Sequence, residues 1–198
     1  MNDQAATLRL AVLPRPGLLV DTLLALGGAA FVGLCAQVSY QPSFTPVPYT
    51  LQTFSVLLVG AAYGSMLGAA SLSLYLVLGI VGVPLFAEHK HGWDVFSGAT
   101  GGYIVGFVAG AALTGYLAER GWDKRFATSV TLMLTGSVVI YACGAIWLHH
   151  WLDASWNTTL TDGVYYFVPG DLVKLYLAAA ALPAAWQLVR RIRGSNRR

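Results

Sequence analysis

Long apolar runs separated by short polar segments dominate the chain. The first run extends from about Leu18 to Val38, and the last from about Tyr166 to Val189. Apolar side chains fill both runs almost continuously. A helix needs about 20 such residues to cross the hydrocarbon core of a bilayer. The pattern therefore predicts an all-α membrane protein built from transmembrane helices.

The apolar stretch that follows the first run is too long for one helix. No charged residue occurs from Thr50 to Phe86, which exceeds the roughly 17–25 residues of a single span. The glycines between Gly60 and Gly68 provide a break in the middle. With two helices joined by a tight turn there, the six predicted helices lie at about 18–38, 50–63, 65–84, 100–118, 127–148 and 166–189. We expect them to form one bundle, a single membrane domain over residues 1–198.

Composition supports this assignment to the membrane. Hydrophobic residues make up 56% of the 198 residues and charged residues only 11%, whereas a soluble domain carries about 25% charged residues. The mean hydropathy is +0.61. So little charge excludes an ordinary soluble enzyme, and it excludes a nucleic-acid-binding protein despite an isoelectric point near 9.0. The expected surroundings are a lipid bilayer.

The positions of the basic residues predict the topology. Ten of the twelve lysines and arginines fall into three groups: Arg9 and Arg15; Arg120, Lys124 and Arg125; and Arg190, Arg191, Arg193, Arg197 and Arg198. Six helices place all three groups on one side of the membrane, and basic segments stay in the cytoplasm. We therefore predict that both termini are cytoplasmic. Only Lys90 and Lys174 lie outside this pattern.

Two opposite charges interrupt the last apolar run. Asp171 and Lys174 are three positions apart and share a helix face, which Phe167 extends by one turn. Charged groups at membrane depth are costly and usually face a cavity. One interpretation is a pair that neutralises itself near the outer end of the helix. The other is a ligand anchor in an outward-facing pocket, where Asp171 accepts from N–H groups and Lys174 donates to a carbonyl or carboxylate.

Small residues at a spacing of four occur in two of the predicted helices. Gly102, Gly106 and Gly110 lie in the fourth helix, and Ala25, Ala29 and Gly33 lie in the first. In lipid, such residues let helix backbones approach closely. Internal packing is the expectation for the fourth helix. The stripe on the first helix fits either internal packing or the docking of a partner subunit.

Sequence signatures of catalysis are absent or weak. The chain has no phosphate-binding loop of the form G-x-x-x-x-G-K-[ST] and no G-x-S-x-G nucleophile motif. His149 and His150 suit a membrane interface, and the Glu88–His91 loop suits a solvated surface better than a metal site. An intramembrane enzyme that uses these histidines remains an alternative. The prediction is a protein that is not an enzyme and holds no metal.

Four local patterns together resemble one family. They are Thr45–Gln52 (TPVPYTLQ), Gly68–Ala87 (GAASLSLYLVLGIVGVPLFA), Thr100–Tyr103 followed by Gly106 and Phe107, and Pro169–Gly170–Asp171 with Lys174. In this order, on six predicted helices, they resemble the substrate-binding subunit of biotin transporters, the BioY family. The resemblance covers the chain from about Thr45 to Lys174.

The resemblance implies an S component of an energy-coupling-factor vitamin importer. Such a subunit lies in the bacterial inner membrane, crosses it several times, and captures biotin from the outer side with high affinity. Its partners are an energy-coupling transmembrane subunit and cytosolic ATPase subunits, and it needs no cofactor. The resemblance also favours docking of the coupling subunit on Ala25, Ala29 and Gly33. An S component for another vitamin is the alternative within this class.

The resemblance also indicates which residues contact the vitamin. The substrate-binding candidates are Asp171, Lys174, Phe167, Tyr103, Gln52 and Thr50, with Lys90 and His91 added from the second outer loop. Asp171 and Lys174 would hold the polar end or ends of biotin, and whether each meets the ureido ring or the carboxylate stays open. We expect the first outer loop to cover the pocket, with Pro46 and Pro48 fixing its path.

Overall fold

Helices make up most of the computed structural model, which describes residues 7–13 and 17–195. In chain order they are α1 (Leu8–Val12), α2 (Leu18–Gln37), α3 (Gln52–Tyr63), α4 (Ser65–Ile80), α5 (Trp93–Ser97), α6 (Gly101–Glu119), α7 (Phe126–Leu152), α8 (Trp156–Leu160) and α9 (Val168–Ser195). Short 3₁₀ turns cover Ala87–His89 and Trp122–Lys124, and a π-helical turn covers Thr161–Tyr165.

A helix is present at each of the six predicted positions, namely α2, α3, α4, α6, α7 and α9. Among the described residues, four of these helices are long and apolar enough to cross a membrane: α2, α6, α7 and the Val168–Ile192 part of α9. The apolar helices α3 and α4 have only 12 and 16 residues. The all-α membrane fold is therefore confirmed, with four candidate spans.

Three predicted helix ends were wrong by a turn or more. The third predicted helix extends to residue 84, but α4 ends at Ile80, because Gly82 has a φ of 113° and Pro84 cannot continue a helix. The fifth predicted helix stops at residue 148, but α7 continues to Leu152. The sixth predicted helix stops at residue 189, but α9 continues to Ser195.

The turn between α3 and α4 lies at Gly64, inside the predicted break. Gly64 has a φ of 91°, which a residue with a side chain rarely adopts. Its amide donates to the carbonyl of Gly60 at 2.9 Å, and its carbonyl accepts from Gly68 at 2.9 Å. One glycine therefore ends α3 and begins α4 without an intervening loop.

Helix α6 occupies the centre of the bundle and packs against α3, α4 and α7. Its glycines face α7 at very short range. A Cβ atom at Gly106 would lie 3.0 Å from Cα of Ile140, and one at Gly110 would lie 2.8 Å from Cγ1 of the same residue. The glycine stripe of the fourth predicted helix therefore serves internal packing, as expected.

The small-residue stripe of α2 also faces inward. Ala29 is 1% exposed and Gly33 is buried, and a Cβ atom at Gly33 would lie 2.6 Å from Cδ2 of Leu85. The docking interpretation is therefore wrong for Ala29 and Gly33, because α4 and the segment after it already cover them. Ala25 is partly exposed. The outward face of α2 carries larger side chains: Leu19, Leu23, Leu26 and Leu34.

The two ends of the bundle differ. At one end a short antiparallel ribbon pairs β1 (Ser39–Tyr40) with β2 (Tyr49–Thr50). We call this the ribbon end. The opposite end holds α1, the Trp122–Lys124 turn and the C-terminal part of α9, and α9 contacts both of the others. We call it the basic end. Arg15, Arg197 and Arg198, which belong to the predicted cytoplasmic groups, lie outside the described residues.

Candidate functional site

A cavity of about 430 Å³ lies at the ribbon end, between α3, α4, α6, α7, α9 and the loop that joins β1 to β2. Most of its lining side chains are apolar or aromatic. Its polar groups come from α9, from the start of α3, from α7 and from the loop after α4, with Gln41 added by the β1–β2 loop and Asp94 by α5. Enclosed sites with an apolar wall and a few placed polar groups are typical of small-molecule binding.

The predicted charged pair lines this cavity. Asp171 lies in the first turn of α9, and Lys174 lies three residues later on the same face. The Lys174 Nζ atom is 2.6 Å from Asp171 Oδ1 and 2.6 Å from the carbonyl oxygen of Thr50. The side chains are only 17% and 12% exposed, for Lys174 and Asp171 respectively. The pair therefore neutralises itself and faces the cavity at the same time.

A tyrosine of α7 completes this polar cluster. The hydroxyl of Tyr141 donates to Asp171 Oδ2 at 2.7 Å, and its side chain lines the cavity. Each carboxylate oxygen of Asp171 thus accepts one hydrogen bond, and a carboxylate has about four lone-pair positions. Tyr141 was not predicted from the sequence, because an uncharged residue in an apolar span gives no signal of its own.

The first turn of α3 contributes a second polar group. Gln52 donates from Nε2 to the hydroxyl of Tyr75 at 2.7 Å, and both residues line the cavity. Thr53 also lines it, and its hydroxyl has no partner among the described residues. The predicted residues Thr50 and Gln52 thus both line the cavity. Thr53 and Tyr75, which were not predicted, line it as well.

Two predicted aromatic residues form part of the cavity wall. The hydroxyl of Tyr103 donates to the carbonyl of Gly163 at 2.7 Å. The ring of Phe167 stacks on Tyr49, with 4.4 Å between ring centroids. Both rings are nearly buried. Because the Tyr103 hydroxyl is already bonded to backbone, its ring face is the part offered to a ligand.

The loop between β1 and β2 covers the cavity. Pro46, Val47 and Pro48 line it, as expected for the first outer loop. Thr45 Oγ1 donates to the carbonyl of Asp162 at 2.6 Å and accepts from the amide of Val47 at 3.1 Å. We call residues 41–48 the roof loop. Its main anchor is the segment that contains the π-helical turn.

Of the two residues predicted to bind the ligand from the loop after α4, one lines the cavity. Lys90 lines the cavity, with Nζ 2.6 Å from Glu88 Oε2 and a side chain that is 55% exposed. His91 is exposed and is not among the lining residues, so that prediction was wrong. His91 lies between two lining residues, Lys90 and Asp94, but its own side chain is exposed to solvent.

The histidines considered for catalysis lie elsewhere. The His149 ring stacks on Trp156, with 3.9 Å between centroids, and its Nδ1 atom is 3.3 Å from Thr159 Oγ1. Neither His149 nor His150 lines the cavity. Among residues 7–13 and 17–195, no group of three side chains suited to hold a metal ion is present.

Comparison with known proteins gives consistent matches. The sequence model of the BioY family matches residues 5–191. A biotin transporter BioY of Thermotoga maritima is 38% identical over 134 residues, which are 68% of this chain and 78% of the relative. One from Rhizobium etli is 32% identical over 79% of this chain and 87% of its own.

Comparison with solved structures finds a protein of similar fold. The crystal structure of the S-component for biotin from an ECF-type ABC transporter superposes with a TM-score of 0.74. The alignment covers 89% of this chain and 92% of the other, at 25% sequence identity. The similarity therefore extends over the helices that build the cavity.

Proposed function

Because the chain belongs to the BioY family, we propose that it is a biotin-binding uptake subunit that captures the vitamin in the cavity at the ribbon end. It is a transport protein and not an enzyme. The observation that carries the proposal is the Asp171–Lys174 pair, whose largely buried side chains both line this cavity.

The charge of this pair favours one end of biotin over the other. Asp171 and Lys174 together are neutral, so they offer no net attraction to a carboxylate. A ureido ring is neutral and presents N–H groups beside a carbonyl. Asp171 has lone pairs left to accept from the N–H groups, and Lys174 has one N–H left for the carbonyl. We therefore assign the ureido ring to this pair.

The other end of biotin would lie toward Lys90. Its ammonium group is at the rim of the cavity and half-exposed, so it can turn from Glu88 to the valerate carboxylate at little cost. Between the two ends, Phe167 and Tyr103 would contact the thiophane ring and the aliphatic chain. Gln52 and the unpartnered hydroxyl of Thr53 would supply further hydrogen bonds.

The proposed topology rests on the difference between the two ends of the bundle. We propose six membrane crossings by a single domain of residues 1–198, with both termini in the cytoplasm and the cavity facing outward. Support comes from α1, the Trp122–Lys124 turn and the end of α9, which share the basic end, opposite the cavity. In this arrangement α3 and α4 are the two short crossings, and the protein lies in a bacterial inner membrane.

The topology can be tested with single cysteines. Cys35 and Cys143 are replaced first, and then Ser43→Cys in the roof loop is compared with Arg125→Cys at the basic end; both positions are exposed. A membrane-impermeant maleimide added to intact cells is expected to label only Ser43→Cys. Labelling of Arg125→Cys in intact cells would overturn the proposed orientation.

Uptake requires an energy source outside this chain. The chain has no phosphate-binding loop, and its structural neighbour is the S-component of an ECF-type ABC transporter. We propose that an energy-coupling transmembrane subunit and cytosolic ATPase subunits act on this protein. With Ala29 and Gly33 buried, that partner would have to contact the outward side chains of α2 or another exposed face.

Equilibrium titration of biotin against the purified protein tests the function. We expect tight binding by the wild type and a loss of at least about 100-fold in Asp171→Asn and Lys174→Ala, because each variant leaves a buried partner unpaired. A panel of other vitamins run in parallel tests the specificity. Absence of biotin binding, or tighter binding of another vitamin, would overturn the proposal.

A further inference from the structure

A second cavity, of about 380 Å³, lies between α7 and α9. Its walls are almost wholly apolar, formed by residues such as Val138, Ala142, Leu160, Val164 and Leu172. Among the described residues, it shares only Tyr141 and Asp171 with the first cavity. These two residues, joined by their hydrogen bond, therefore separate the two spaces.

The second cavity opens on the outer surface of the bundle. Leu134, Val138 and Leu172 line it and are exposed. They belong to α7 and to the Val168–Ile192 part of α9, two of the candidate membrane spans. Its mouth therefore faces lipid, whereas the first cavity faces the ribbon end. We call this second cavity the lateral groove.

We propose that Tyr141 has two roles in biotin binding, which we call positioning and partition. Its hydroxyl holds the Asp171 carboxylate toward the vitamin (positioning). Its ring separates the first cavity, the proposed vitamin pocket, from the lateral groove (partition). This inference rests on the function proposed above.

The positioning role follows from the location of Asp171. Its carboxylate borders both cavities, and the lateral groove offers no polar side chain near it apart from Tyr141 and Ser137. Lys174 binds one oxygen from the same helix, and Tyr141 binds the other from α7. Two donors on different helices fix the rotation of the carboxylate. Without the Tyr141 hydroxyl, Asp171 would keep only one fixed oxygen.

The partition role follows from the Tyr141 ring. It meets the Tyr103 ring edge to face, with 6.5 Å between centroids and an interplanar angle of 85°. Tyr103 is itself held by Gly163, so the Tyr141 ring rests on a fixed neighbour. Shortening the Tyr141 side chain would join the pocket to the groove. Alkyl chains of lipid or detergent could then enter the first cavity, where the vitamin is proposed to bind.

The positioning role is tested by a double-mutant cycle. Biotin dissociation constants are measured for the wild type, Tyr141→Phe, Asp171→Asn and the double variant. We expect Tyr141→Phe to weaken binding about tenfold or more, and to weaken it less than about threefold in the Asp171→Asn background, since the two residues act as one unit. Tyr176→Phe, at an exposed tyrosine of α9 that lines neither cavity, is the control and should bind like the wild type.

The partition role is tested with detergents of different length. Biotin binding by the wild type, Tyr141→Phe and Tyr141→Ala is compared in alkyl maltosides of increasing chain length. We expect only Tyr141→Ala to lose affinity as the chain lengthens. Tyr141→Leu replaces the alanine variant if the latter does not remain folded, as judged by gel filtration.

The outcomes separate the two proposals. If the wild type does not bind biotin, the proposed function is overturned and this inference with it. If the wild type binds tightly while Tyr141→Phe is unchanged or fully additive with Asp171→Asn, only the positioning role is overturned. If Tyr141→Ala shows no dependence on detergent length, the partition role is overturned.

Discussion

Lys174 donates from Nζ to the carbonyl oxygen of Thr50 over 2.6 Å, linking residues that are 124 positions apart. That carbonyl is available because the first helical hydrogen bond of α3 begins one residue later, from the amide of Ser55 to Leu51. The last helix is therefore joined to the start of α3 at the level where the polar end of the ligand is proposed to bind. Lys174 has a structural role as well as a proposed binding role.

The two roles of Lys174 are separable. Lys174→Met removes the ammonium group and leaves Asp171 buried without its counter-charge, which costs about 3 kcal/mol or more. We expect a lower unfolding temperature and loss of biotin binding. In the double variant Asp171→Asn/Lys174→Met no charge is left, so the unfolding temperature should recover toward the wild type while binding stays lost. Thermal unfolding and biotin titration in the same detergent measure both.

Recovery of binding in that double variant would contradict the assignment of the pair to the ligand. Failure of the unfolding temperature to recover would contradict the argument that the uncompensated charge is what destabilises the single variant.

The roof loop is expected to control how long biotin stays bound. Thr45→Val removes the bond to the Asp162 carbonyl and the bond from the Val47 amide, each contributing about 0.5–1.5 kcal/mol. We predict a dissociation rate faster by about fivefold or more, measured by chasing labelled biotin with excess unlabelled vitamin. Ser43→Ala, at an exposed position of the same loop, should leave the rate unchanged. Equal rates for Thr45→Val and the wild type would show that another element retains the vitamin.

The basic end contains a buried carboxyl group that should make stability depend on pH. Asp123 is fully buried, its Oδ2 atom accepts from Trp186 Nε1 at 2.5 Å, and its Oδ1 atom has no partner among the described residues. Burial raises the pKa of the Asp123 carboxyl, so the folded protein favours its neutral form. Its contribution to stability is therefore present below the unfolded pKa, about 3.9, and is lost as pH rises through the folded pKa.

Asp123→Asn removes this dependence, because asparagine keeps an acceptor for Trp186 and does not ionise. We expect the variant to unfold at a higher temperature than the wild type at about pH 7.5, with the difference shrinking toward about pH 4.5. Trp186→Phe should instead lower the unfolding temperature, because it removes the donor. A constant difference between Asp123→Asn and the wild type across this pH range would contradict the argument.

The contact between α6 and α7 should not tolerate a methyl group at Gly102. A Cβ atom there would lie 2.6 Å from the carbonyl oxygen of Cys143 and would collide with the Trp147 side chain. Gly102→Ala should destabilise the protein by about 1–3 kcal/mol. Gly27→Ala on the exposed face of α2, where nothing lies within 4 Å of the added atom, is the matched control. Thermal unfolding of both variants is the measurement, and equal shifts would refute the packing argument.

The sequence was informative where a residue is unusual in its surroundings. Continuous apolar runs predicted the helices, and Asp171 and Lys174 stood out as charges within one of them. The break near Gly64 was visible because a long apolar stretch exceeds one span. These signals are local, so they can be recognised before any packing is known.

Other features depend on which helices meet, and the sequence contains no local sign of them. Tyr141 becomes part of the site only because α7 places its hydroxyl 2.7 Å from Asp171. The small residues of α2 indicated a close approach but not its partner, so the docking interpretation failed for Ala29 and Gly33. His91 was predicted from its place in a polar loop, and which side chains of that loop face the cavity depends on how the loop packs against the bundle.

The anchors of the cavity roof and wall have a common property. The hydroxyls of Thr45, Tyr49 and Tyr103 donate to the carbonyls of residues 162, 166 and 163, all of them in or next to the π-helical turn. Every acceptor belongs to the main chain. The Asp162 side chain can therefore change without loosening these bonds. The Tyr166 ring packs edge to face on Phe44 of the roof loop, and an added Cβ atom at Gly163 would press on Tyr103. Natural sequences can thus diverge at position 162 while the enclosure around the vitamin keeps its shape.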